Sequence, residues 1–218
     1  MSKEKVVVIF PHPDDESFGA SGTISKFRDE GVPVTYLCGT LGEMGRNMGN
    51  PVFANRETLS TFRKKELEEA ANQLDIEVEM LGYQDKTLEF EPRDLVAKHL
   101  KERLEALEAT IVITHYPGYA VHPDHDALGA AVVDAVRQMD ESRRPEVWMH
   151  AISNHSKQDL GEPEIIYDVR PYWKRKLAAI KAHLSQADGM MNLIENHEQT
   201  SEQLERLKTE RFYRYTFS

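Results

Sequence analysis

One cysteine, Cys38, is all the thiol chemistry this 218-residue chain contains. A single thiol excludes an internal disulfide and any metal site built from several cysteines. Cys38 closes a short apolar run, where a small buried hydrophobe is expected. Long hydrophobic runs are missing too, and no stretch approaches the roughly 18 apolar residues of a membrane span. Positive charge is scarce: 27 Lys and Arg stand against 37 Asp and Glu, a formal net charge of −10. A nucleic-acid backbone needs a basic patch, so this balance argues against such a partner. A small anionic ligand stays admissible, because local arginines act inside an acidic protein. No Gly-x-Gly-x-x-Gly follows the first apolar run and no P-loop lysine is present, so the phosphate-cradling signals are absent. Met1–Lys5 lead into that run without a secretory hydrophobic region, and cytoplasmic residence is expected.

What is present is an alternation of strands and helices. Hydrophobic residues make up 40 % and charged residues 29 % of the chain, the proportions of a soluble globular protein. The length suits one domain over residues 1–218. Apolar runs predict strands at 5–10, 34–38, 77–81, 110–114 and 147–152, with a probable edge strand at 164–169. Helical spacing predicts helices at 21–30, 57–73, 94–107 and 124–139, and a helical tail from Pro171 onward. On the 94–107 helix the expected apolar stripe is Leu95, Leu100, Leu104 and Leu107. The Gly- and Asn-rich loop from Gly39 to Asn55 is long for a compact domain, and such loops are more often functional than not. Strands that alternate with helices predict an α/β, Rossmann-like fold: a mainly parallel sheet, helices on both faces, and the active site at the carboxyl ends of the strands. In the tail, the alternation in Phe212-Tyr213-Arg214-Tyr215-Thr216-Phe217 fits packing or a subunit contact, and nothing local chooses.

Two loops hold the chemistry. His12-Pro13-Asp14-Asp15-Glu16 directly follows Val6-Val7-Val8-Ile9-Phe10. An imidazole with two adjacent carboxylates at a strand's end is costly in like-charge repulsion unless a cation relieves it. His122-Pro123-Asp124-His125 follows Ile111-Val112-Ile113-Thr114. If both strands are parallel neighbours, the loops meet above one sheet edge. His12, Asp15 and His125 then form a three-donor N/O set, the number a catalytic zinc has when one position stays open for water. His125 lies three residues before Leu128, on the core-facing side of its helix, so its ring is able to face the sheet's open end.

These motifs resemble the PIG-L/LmbE family of zinc-dependent N-acetylglucosamine deacetylases. Thr40-Leu41-Gly42-Glu43 looks like that family's T-x-G-E loop, and Arg63-Lys64-Lys65-Glu66-Leu67 looks like its R-x-x-E-L helix start. The resemblance covers roughly residues 5–140. Within the family, the chain length and the Gly42–Asn47 loop look most like the deacetylases of bacillithiol biosynthesis, which remove acetate from N-acetylglucosaminyl malate. The resemblance implies Zn2+, or another divalent ion such as Fe2+, on His12, Asp15 and His125. It implies Asp14 as general base toward a metal-bound water, His122 facing the developing oxyanion, and Arg63 as a substrate contact. Zinc lowers the pKa of its water toward about 7, so a modest base suffices. Arg56, Arg46 and Glu43 are further substrate-binding candidates; Glu43 serves equally well as a loop brace. Where some members place an assisting tyrosine, this chain has Ala120, with Tyr116 and Tyr119 nearby. The implied partner is a small N-acetylated aminosugar conjugate, with no nucleic acid or membrane, on a homo-oligomer of trimer or hexamer type. Two alternatives stay open: a metal amidase on another N-acyl sugar or thiol conjugate, and a non-catalytic sugar- or nucleotide-binding module.

Overall fold

The computed structural model describes residues 4–187 and 202–217. Among them, strands β1 (Val6–Phe10), β2 (Val34–Cys38), β3 (Glu77–Met80), β4 (Ile111–His115), β5 (Glu146–His150), β6 (Ile165–Asp168) and β7 (Thr209–Arg214) form one sheet, ordered β3-β2-β1-β4-β5-β7-β6. The first five are parallel. Strands β1 and β4 are buried along all five residues, as expected of a parallel sheet covered on both faces. Their apolar runs do not alternate for that reason.

Helices cover the two faces separately. α1 (Asp15–Gly19), α2 (Ser21–Asp29), α3 (Leu59–Leu74) and α7 (Trp173–Ala182) lie on one face, where Ile24, Phe27, Leu67, Leu74 and Ala179 pack on Val6, Val8 and Tyr36. On the other, α4 (Arg93–Leu107) and α5 (Pro123–Arg137) press Val96, Leu100, Leu104, Leu128 and Val132 against Val7, Ile9 and Val112. No helix among the described residues is long and apolar enough to cross a membrane.

The chain runs outward from β1 through β2 to β3, then crosses back to β4 on the other side of β1. Strand order therefore reverses at β1/β4. Loops leaving two neighbouring strands in opposite directions open a crevice at the carboxyl ends, where open α/β sheets bind ligands. Registry of Val6 with Ile111 and of Ile9 with Thr114 brings both strand ends level.

Two expectations are corrected. The tail is not helical throughout: after α7 and the short helix α8 (Ser156–Leu160 being α6, Glu202–Leu207 α8), β7 inserts antiparallel between β5 and β6. Residues 188–201 of the expected tail, with His197, lie outside the described residues. Of the 212–217 stretch, residues 212–214 belong to this strand, where Phe212 and Tyr213 are both buried and Arg214 is exposed. The α4 stripe also shifts. Leu95 is 60 % exposed, whereas Val96, Ala97, Leu100 and Leu104 are buried. At about 100° per residue, Leu95 sits about 140° around the helix from Leu100.

Candidate metal centre and active site

The first loop is built around an unusual backbone. Asp14 has φ 106°, a left-handed conformation uncommon outside glycine. Several bonds hold it there. Its carbonyl accepts Ser17 N at 2.9 Å and Phe18 N at 3.0 Å, starting α1. Its own N–H donates to Glu16 Oε2 at 3.0 Å. Arg63, reaching from α3, donates to Asp14 Oδ2 at 3.0 Å, to Pro13 O, and to Gly42 O at 2.9 Å. Glu16 is itself buried and tied to His183 Nε2 at 2.8 Å. The carboxylate of Asp14 thus faces the crevice on a fixed frame.

His12, Asp15 and His125 converge. His12 Nδ1 lies 3.2 Å from His125 Nε2 and 3.5 Å from Asp15 Oδ2, and His125 Nε2 lies 3.3 Å from Asp15 Oδ1. Ligand atoms on a tetrahedral ion with bonds of about 2.05 Å stand about 3.3 Å apart. The outer ring nitrogens settle the proton positions. His12 Nε2 meets Asp85 Oδ1 at 3.1 Å and Asp124 Oδ2 at 3.2 Å; His125 Nδ1 meets Ala120 O at 3.1 Å. Carboxylates and carbonyls only accept, so both outer nitrogens bear hydrogen. When neutral, the form a metal ion requires, the rings turn two lone pairs and a carboxylate toward one point. Three acceptors without a donor fit a cation, and the carboxylate and carbonyl behind the rings are the supports that metal-bound histidines use.

The acids around the rings draw protons onto them, which a bound cation would have to displace. Burial alone would depress His12, but hydrogen bonds to Asp124, Asp15 and Asp85 outweigh it and push its pKa to about 11. Burial opposes ionisation of Asp15, yet His125, His115 and His12 hold it well below the usual carboxylate range. Asp14 moves the other way. Desolvation raises it to about 6 against the opposing charge of Arg63, with Asp15 adding repulsion. His122 is lowered by burial and by its charged neighbours His12 and His125.

A cavity of about 340 Å³ opens over this cluster, lined by Asp14, His122, Arg63, Arg46 and Lys86 among others. His122 caps α5 by accepting Asp124 N at 3.2 Å, with its ring edge-on to His12 at 5.0 Å. It also borders a larger groove of about 700 Å³ toward Leu88, Arg93 and Val121. The other sequence-predicted residues are engaged with groups of the protein itself. Arg63 lines the cavity but is only 4 % exposed and bonded as above. Arg56 donates to Gly45 O at 2.6 Å; Glu43 accepts Asp85 N at 2.9 Å, the brace of its two options. Tyr119 packs edge-on against Tyr116 at 5.3 Å and is not among the cavity-lining residues. His115 stacks on His125 at 4.0 Å, and burial lowers its pKa.

Asp85, Asp124, Lys86, His183 and Gln186 were not singled out from sequence. Asp124 had a signal, since a buried carboxylate beside a ligand histidine suits a support role. Asp85 and Lys86 follow the short strand β3, and His183 ends α7; no local pattern marks them.

Comparison with known proteins agrees with this geometry. A family model described as PIG-L, GlcNAc-PI de-N-acetylase, matches residues 7–136. A probable N-acetyl-alpha-D-glucosaminyl L-malate deacetylase 2 of Bacillus cereus is 46 % identical, covering 96 % of this chain and 97 % of that protein. Among solved structures, the N,N'-diacetylchitobiose deacetylase of Pyrococcus horikoshii has a TM-score of 0.74 at 24 % identity, over 98 % of this chain and 84 % of its own. The 4-carboxy-2-hydroxymuconate hydratase of Pseudomonas putida reaches 0.77 at 17 % identity, over 99 % and 97 %. A hydratase on the same frame shows that fold alone does not choose the reaction. The family model over most of the strand-and-loop frame, and a relative alike along nearly the whole length, make this chain a member of the PIG-L family.

Proposed function

We propose that this protein is a zinc-dependent deacetylase that hydrolyses the acetamide of an N-acetylglucosaminyl conjugate, with N-acetylglucosaminyl L-malate as substrate. The identity to the malate-conjugate deacetylases supports the substrate. His12, Asp15 and His125 hold the ion; a hard-to-borderline N/O set also takes Fe2+. The bound ion supplies Lewis acidity at the acetamide and at water. Asp14 takes the proton from the attacking water, a task that a carboxyl with pKa about 6 performs near neutral pH. Arg63 holds Asp14 in place and keeps it ionised. His122, at the cavity edge, donates to the oxygen that gains charge, and the proton that Asp14 has taken passes to the amine as it leaves. Glu43 and Arg56 brace the loop beside the cavity. The reading includes a single catalytic domain over residues 1–218, cytoplasmic residence and a homo-oligomeric assembly.

One observation supports this reading above the rest: three acceptor atoms 3.2–3.5 Å apart with their outer partners already satisfied, and a base carboxylate beside them. Acetate release from N-acetylglucosaminyl malate by the zinc-loaded protein tests it. No release from this conjugate or from any other N-acetylglucosaminide would end the hydrolase reading.

A further inference from the structure

The cavity over His12 is walled by acid, with Asp14, Asp15 and Asp85 on its lining, in a chain of net charge −10. Three cations line the same cavity. Arg63 is committed to Asp14, Pro13 O and Gly42 O. Arg46 and Lys86 are different: both are exposed, and among the described residues neither side chain makes a hydrogen bond or ion pair. Exposed lysines and arginines are ordinarily just solvated. These two, however, rise from backbone that is fastened to the supports of His12. Lys86 adopts φ 64°, and its N–H donates at 2.7 Å to Asp124 Oδ2, the atom that also holds His12 Nε2. Asp85, next to it, receives Met44 N at 2.8 Å. Gly45 O is gripped by Arg56, and Asn47 O by Gln186 Nε2 at 3.0 Å. Arg46 therefore springs from a loop pinned on both sides.

We propose that Lys86 and Arg46 form an anion subsite at the mouth of this cavity, which selects a conjugate whose aglycone bears carboxylate groups. The proposal rests on the deacetylase reading and deepens it, since it moves the anion contact from Arg63 and Arg56 to residues with free donors. The acids on the wall are occupied: Asp85 and Asp15 lean on His12, and Asp14 on Arg63. Neither of the two cations is neutralised by them, so both are left to a carboxylate arriving from solvent. A guanidinium takes it bidentately and an ammonium as a point charge. Their local field draws an anion to the mouth of an acidic protein.

The test compares two substrates on the zinc-loaded protein: N-acetylglucosaminyl malate and the methyl glycoside of N-acetylglucosamine, whose aglycone is uncharged. The ratio of their kcat/KM values should fall about tenfold in Lys86→Met or Arg46→Met, and further in the double variant, mainly through KM. It should also fall as salt is raised, since exposed charges are screened. An unchanged ratio in the double variant would overturn the subsite. Calorimetric binding of the two amine products, glucosaminyl malate and methyl glucosaminide, gives a readout without turnover. Stronger binding of the malate product by the wild type than by the double variant, without acetate release from either substrate, would uphold the subsite and sink the deacetylase reading. Equal binding in both proteins would sink the subsite alone.

Discussion

Two clusters of buried charge in this molecule are built on different logic. Near the amino end of β7, Glu210 receives Gly22 N at 2.9 Å, Thr23 N at 2.7 Å and Lys176 Nζ at 2.5 Å. Lys176, with no exposed surface, also donates to Phe18 O at 2.8 Å. Each acceptor there has its donor. At His12, Asp15 and His125 the outward atoms are equally well supplied, yet the inner three are all acceptors. A structural cluster closes on itself. A cluster whose inner atoms are two ring nitrogens and a carboxylate is one that a cation fits.

The predictions sharpen that contrast. Asp14→Asn touches only the open cluster. It should lower kcat by about 10³–10⁴-fold, the contribution expected of a general base, while metal content by elemental analysis stays at the wild-type level. Loss of metal in parallel would move Asp14 into the coordination set.

Lys176→Met breaks the closed cluster and leaves a buried carboxylate without its cation. Removing one partner of such a pair costs about 3–5 kcal/mol, read as a lower denaturant midpoint. A Lys176→Met, Glu210→Gln pair should recover much of it. No loss in the single variant would mean that the pair is not buried as described.

Arg63→Met probes the frame that holds Asp14. As the proposed base, Asp14 works in its ionised form, so kcat/KM should rise with pH through about 6. The charge of Arg63 opposes the desolvation that raises Asp14, so removing it should shift the acid limb upward by about one unit. A downward shift would contradict the contact at 3.0 Å.

The smallest effect is expected at Leu95. Its side chain is largely exposed, so Leu95→Gln should stay within about 0.5 kcal/mol of wild type. Leu100→Ala on the buried stripe should cost about 2–5 kcal/mol by the same thermal melt.

Much of this was legible locally. The apolar runs 6–10 and 111–113 predict buried parallel strands, and the residues right after each run stand at the crevice by fold geometry alone. His12, Asp15 and His125 could be placed together on that basis. Asp85 and Lys86 could not, because they enter through loop packing across about forty residues of chain, at Met44 and Asp124. His183 and Gln186 come from still further along. The tail was misread where one helix, α7, gives way to β7: a six-residue strand has too little periodicity to fix its neighbours, and only docking between β5 and β6 tells its role.

Local chemistry by itself determined which residue types stand at the strand ends, because covalent order puts them within a few ångströms of an element whose burial is written in its own side chains. The tertiary structure alone decided which charges are spent on one another and which remain free. Hydrogen-bond partners of a buried group come from whatever segment packs against it, and that is a property of distance in space, not along the chain.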